Sequence, residues 1–196
     1  MKQSFRWIAV CLLVVGCSVP LAQKDYDPIP VESDGIRVTL RQVHRGEKGG
    51  LITVEVSNHG VGGLEIGVAG KAAQLRTEDG TVKRALSGGE FKRLVSEHGP
   101  IAMGIRKGGD LDLPTFDREC EVSQEDSAWF QIPFELPATT RFVNVELTEV
   151  IRRRAANGSM RPVPEGISIA VALPDVPPPS AWKKMHFGLS TSSDNQ

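Results

Sequence analysis

The sequence predicts an all-β protein, an antiparallel β-sandwich of about seven or eight strands, with a small closed β-barrel as the alternative. Two observations lead there. Apolar residues recur at every second position through most of the chain, and the runs that carry them are separated by Gly, Asn and Asp at short spacing. A helix instead needs apolar residues three and four apart over several turns. Only Gly89 to Val95 comes near that pattern, a turn or two that needs packing to persist.

Ile36, Val38 and Leu40 alternate with Arg37, Thr39 and Arg41, so one face of an extended segment is apolar and the other polar. Ile52, Val54 and Val56 repeat the pattern, and Leu64, Ile66 and Val68 follow a glycine-rich turn at Gly60, Gly62 and Gly63. Leu75 to Thr77 and Thr81 to Leu86 flank Glu78-Asp79-Gly80, a hairpin turn in which Gly supplies a positive φ. Ala128, Phe130, Ile132, Phe134 and Leu136 form the longest alternation, expected to cross the centre of the core. Val143, Val145 and Leu147 come next, Asn157-Gly158 marks another hairpin, and Ile167, Ile169, Val171 and Leu173 close the series.

The 196 residues allow one ordinary domain. Lys and Arg number 23 against 24 Asp and Glu, without the basic excess that holds a polyanion, so nucleic acid is not an expected partner. With 40% hydrophobic and 24% charged residues the body has the composition of a globular protein.

The N-terminal segment is different. Lys2 and Arg6 precede Trp7 to Val15, an unbroken run of nine apolar residues. As a helix that run covers about 14 Å, against roughly 30 Å of hydrocarbon, so it reads as a cleavable leader and not as a membrane span. It ends in Val14-Val15-Gly16-Cys17, which resembles the bacterial lipobox. The resemblance covers the first twenty or so residues. It implies a lipoprotein signal peptide over residues 1–16 and a Cys17 that becomes the first residue and carries a diacylglyceryl group, with the freed amine acylated as well. It further implies, with Ser18 where an inner-membrane retention signal has Asp, an outer-membrane anchor holding the domain in the periplasm or at the surface. Several acyl chains hold far more firmly than one. The alternative is ordinary cleavage after Ala22 to release a soluble protein, which places Pro20 where a small unconstrained residue is wanted.

Removing the leader leaves 21 Lys and Arg against 24 Asp and Glu, a net charge of −3. It also leaves Cys120 as the one free thiol of the body, so no internal disulfide is expected. Cys120 reads as a small buried hydrophobe, with a reactive thiol or an intermolecular bridge as the alternative. Residues 17–35 read as a tether after the lipidated cysteine. Pro20, Pro28 and Pro30 and the lack of an apolar period suggest an extended stretch of roughly 50 Å. Residues 36–173 form the sandwich, and residues 174–196 a Pro-rich and apolar tail, partly disordered. The order of segments in the body is similar to small exported immunoglobulin-like domains of bacteria, with no single family indicated. That resemblance implies a Greek-key arrangement, although the Cys, Trp, Cys hallmark of antibody domains is missing.

The motifs that carry catalysis are absent: no G-x-S-x-G, H-E-x-x-H, C-x-x-C or P-loop pattern occurs, so neither an enzyme nor a cofactor is expected. His44, His59, His98 and His186 are scattered without metal-ligand spacing and are expected to be solvated. Asp110 to Asp126 holds seven acids, but Leu113 and Pro114 interrupt any EF-hand pattern, leaving a solvated acidic loop.

Two features are candidate partner-binding sites. Arg152, Arg153, Arg154 and Arg161 surround the Asn157-Gly158 turn, where they would meet phosphates or an acidic partner, or serve as edge-strand charges against aggregation. Trp182 and Phe187 in the tail are anchors of the kind interfaces favour, unless the tail docks on its own domain. The expected function is a lipid-anchored, non-catalytic binding or scaffold module with an envelope protein as partner. The alternative is a soluble exported protein with a ligand-binding or catalytic site on its loops.

Overall fold

The computed structural model describes residues 22–25, 30–66, 73–105, 119–155, 157–163 and 166–176. The leader, Cys17, most of the acidic stretch, Trp182 and Phe187 lie outside them. The fold is all-β and antiparallel, as expected, and forms an open sandwich, not a closed barrel. The first layer contains β1 (Ala22–Asp25), β2 (Pro30–Ser33), β3 (Ile36–Arg45), β4 (Gly49–Asn58) and β9 (Ser127–Glu135). Its order is β1-β3-β4-β9, with β2 also on β3.

The second layer is built from two four-stranded sheets. One runs β13 (Ser168–Ala172), β10 (Phe142–Glu146), β6 (Gln74–Thr77), β7 (Val82–Arg84); the other runs β12 (Met160–Pro162), β11 (Ile151–Arg154), β5 (Leu64–Ile66), β8 (Cys120–Val122). A turn at Leu147–Val150 carries the chain from β10 in one of these sheets into β11 in the other. Against about seven or eight expected strands, the described residues hold thirteen, the additional ones being β1, β2, β8, β11 and β12. Both layers contribute to one apolar core, including Ile36, Val54, Ile66, Leu75, Ile132 and Val145, all at most 1% exposed. Each such side chain contributes about 1.5–3 kcal/mol on burial.

Three expectations are corrected. The Ala128–Leu136 alternation does not cross the centre; β9 is the edge of its sheet and β4 is central. Alternation reports which face is buried, not a strand's place among its neighbours. β4, covered on both faces over much of its length, loses the alternation, with Leu51, Ile52, Thr53 and Val54 all buried.

The stretch read as a tether is, from Ala22 onward, largely strand. Ala22–Asp25 pairs with Arg45–Gln42, and Pro30–Ser33 pairs with Thr39–Ile36 around the Asp34-Gly35 turn. Edge pairing is made by backbone groups and needs no apolar period, and Pro30 stands at the first residue of its strand, where its missing N–H is tolerated.

The helical segment is longer than a turn or two: α1 spans Gly88–His98. The Ser87 side chain accepts from the Glu90 N–H while the Glu90 carboxylate accepts from the Ser87 N–H, a reciprocal cap. Phe91 and Leu94 then pack with Leu51, Met103 and Ile105 in a second small core on the outer side of the first layer. A short apolar stripe on a glycine-led helix is weak in sequence and becomes stable through this packing.

Candidate functional site

Period two decides which arginines are available to a ligand. On β11, Ile151 is fully buried, so Arg153, two residues on, shares its inward face and lies opposite Leu64. Its guanidinium crosses to the first layer. Nη1 donates to the Val61 carbonyl (2.6 Å), Nη2 to that of Asp34 (2.5 Å), and Nε lies 3.3 Å from the Asp34 carboxylate. Gly60 lies against it: a Cβ there would stand 2.6 Å from Nη1. Asn58, fully buried, fixes the same loop by donating to the Gly62 carbonyl (2.7 Å) and accepting from the Gly60 N–H (3.2 Å).

A second inward arginine closes the opposite end. Arg45 follows Val43 by two on β3 and is 1% exposed. It donates to the carbonyls of Thr140 (2.7 Å), Pro137 (2.8 Å) and Pro174 (3.2 Å), joining three chain segments. Burial, and then the charge of Arg141, lower its pKa from the ordinary arginine value. Each end of the sandwich is thus latched by a cation seated on carbonyl oxygens.

The four predicted arginines therefore do not form one patch. Arg153 is engaged between the layers, and Arg154 pairs with Glu121 of β8. Arg152 stands opposite Glu65 in the register, and Arg161 is exposed on β12. β11 lies between β12 and β5, so Arg152 to Arg154 belong to an internal strand and not to an edge.

No family model matches this chain, and no curated protein matches it. Among solved structures the chain is similar to the yjhA protein from Bacillus subtilis, at 13% sequence identity and a TM-score of 0.46, over 74% of this chain and 95% of that one.

The outer face of the first layer holds the most exposed aromatic residue among the described ones. Trp129 on β9 is 61% exposed. The Arg41 guanidinium lies 5.3 Å from its ring centroid, while Arg41 Nε donates to Glu55 Oε2 at 2.6 Å. Arg41 reaches this place because it is the extra residue of a bulge, where the β3–β4 register shifts between Leu40 and Gln42. Beside it Gln131 Nε2 donates to Thr53 Oγ1 (3.4 Å), and Gln131 Oε1 is buried without a partner. Sequence reading passed over Trp129 as a binding residue; its place between Ala128 and Phe130, both turned to the core, was the available signal.

Elsewhere the described residues offer little reactive chemistry. No three His, Cys, Asp or Glu among them converge as metal ligands. His44 is half-buried on β3 beside Gln42, not in a loop, and His59 stands 3.4 Å from Glu125 at the exposed surface. Cys120 is a free, half-buried thiol packed against the core, its pKa pushed up by burial, which disfavours the thiolate. A hollow of about 380 Å³ between the Thr77–Thr81 turn and Pro137–Thr140 is lined by residues that serve the turn itself, such as Asp79, which accepts from Thr77 and Thr81.

Proposed function

We propose that this chain is a lipid-anchored protein of the bacterial envelope whose β-sandwich acts as a non-catalytic binding module. The observation that carries the reading is Val14-Val15-Gly16-Cys17 at the end of a nine-residue apolar run behind Lys2 and Arg6. The exposed Trp129 with its flanking Arg41–Glu55 pair supports the binding part, since solvent-facing aromatics next to charged groups are frequent anchors of interfaces.

Mass spectrometry of the N-terminus tests the anchor. The expected product begins at an acylated Cys17, and a Cys17→Ala variant leaves the membrane fraction; a product beginning at Gln23 overturns the anchoring. A photoreactive side chain in place of Trp129 tests the binding surface in living cells. A specific adduct is expected, and its absence in the anchored protein removes that surface from the proposal.

A further inference from the structure

Between Ser127 and Gln131, β9 has a strand beside it on one side only among the described residues. It hydrogen-bonds to β4 on one side and ends the order of its sheet. In an antiparallel pair the backbone groups of alternate residues point toward and away from the partner. Two bonds establish which are which. The Asn58 N–H donates to the Asp126 carbonyl (2.9 Å), so even-numbered residues face β4, and the Pro133 carbonyl accepts from the Leu86 N–H (2.8 Å) on the far side. Ser127, Trp129 and Gln131 therefore direct their N–H and C=O groups away from β4, with no further strand on that side among the described residues.

Protected edges carry charges, prolines or bulges. Pro133, with its carbonyl bonded to Leu86, protects one end of β9, but Ser127–Gln131 (SAWFQ) contains none of these devices. This stretch is also self-complementary. A two-fold axis at Trp129 sets Ser127 opposite Gln131 of the second copy and Trp129 opposite its own counterpart, with both N–H and C=O of each residue bonded. In this register no charge stands on the axis or opposite a like charge: Ser127 to Gln131 are uncharged, and Glu125, Asp126 and Glu135 lie outside them. The two Trp129 rings, each 61% exposed in the single chain, meet across the axis on one face.

We propose that β9 is a strand-addition surface whose occupant is a second copy of this chain, paired antiparallel about Trp129 to make one continuous sheet. A strip of five residues per chain buries less than roughly 1,000 Å², so the pairing is of the reversible class.

The test is sedimentation equilibrium of the full chain in mild detergent up to about 0.5 mM, in the range where weak complexes populate. Reversible dimers are expected. Trp129→Lys puts like charges on the axis, and Gln131→Pro deletes an N–H that points away from β4, so it spares the sheet as Pro133 does. Each is expected to weaken dimerisation by about tenfold or more while the chain still unfolds in one cooperative transition. Should Gln131→Pro fail to fold, the Trp129→Lys result decides. Trp129→Cys gives a third reading: facing Cα atoms of a bonded antiparallel pair lie about 5.5 Å apart, within disulfide reach. Oxidation should therefore link residue 129 to residue 129, as identified by peptide mass mapping. A wild-type chain that stays monomeric, a dimer that survives Trp129→Lys, or cross-links that avoid residue 129 overturns the proposal. These readouts do not depend on lipid at Cys17.

Discussion

At the scale of single residues, the two inward arginines are the features most easily misread. A run of three arginines suggests a charged surface, yet the rule that located the strands also separates them: Arg153 is two positions from buried Ile151, and Arg45 two from buried Val43. Sequence shows that parity once the strand is placed, but not what lies at the end of the side chain, because the Asp34, Val61 and Pro174 carbonyls come from distant loops. Arg45→Ala leaves three carbonyls without their donor and is expected to cost about 3 kcal/mol, measured by urea unfolding. Gly60→Ala drives a methyl into the Arg153 guanidinium and is expected to cost about 1–3 kcal/mol by the same measurement. Cys120, its pKa raised by burial, should react with a thiol reagent at neutral pH much more slowly in the native state than in denaturant.

Among the elements, α1 shows how a weak local signal becomes firm structure. The reciprocal cap of Ser87 and Glu90 went unread in the sequence, and the stripe behind it acquires meaning only against Leu51, a residue of a distant strand. The cap also makes stability depend on pH. The Ser87 backbone N–H, then Arg84 and the Ser87 hydroxyl, hold the Glu90 carboxyl at about 2, below its ordinary 4.5. A depressed carboxylate stabilises the fold fully above its unfolded pKa, and that contribution fades as pH falls through the folded value. The stability gap between wild type and Glu90→Gln should be full at about pH 6 and shrink steadily between pH 4.5 and 2, as followed by helical circular dichroism in urea. The longer β-elements such as β3, β9 and β13 were legible because each buries one face, whereas β1, β2 and β8, which carry no apolar period of their own, were not. The order of strands in the sheets was not legible either, since neighbours such as β4 and β9 are separated by a long stretch of chain and alternation carries no address.

For the whole molecule, an all-β antiparallel body followed from periodicity and turn residues, while the proposed site depends on what periodicity cannot express: a sheet edge open among the described residues and a solvent-facing ring. The first layer also takes in residues read from sequence as linker. Ala22 pairs with Arg45, so only Ser18–Leu21, four residues, separate Cys17 from folded backbone. Fully extended, four residues reach about 13 Å. A cysteine embedded in lipid would then keep the body pressed near the head groups, where a longer leash would let it range through the surrounding solvent. In the proposed pair a dyad through Trp129, perpendicular to the sheet, would carry the second copy's lipid-bearing corner to the far end. Two such corners would reach one bilayer only if the joined sheets lay along it, whereas a lone lipidated chain would be free to stand on the end latched by Arg45. Joining two copies would therefore change posture as well as number, and neutron reflectivity of the bilayer-bound protein, by the height of the protein layer, would register it.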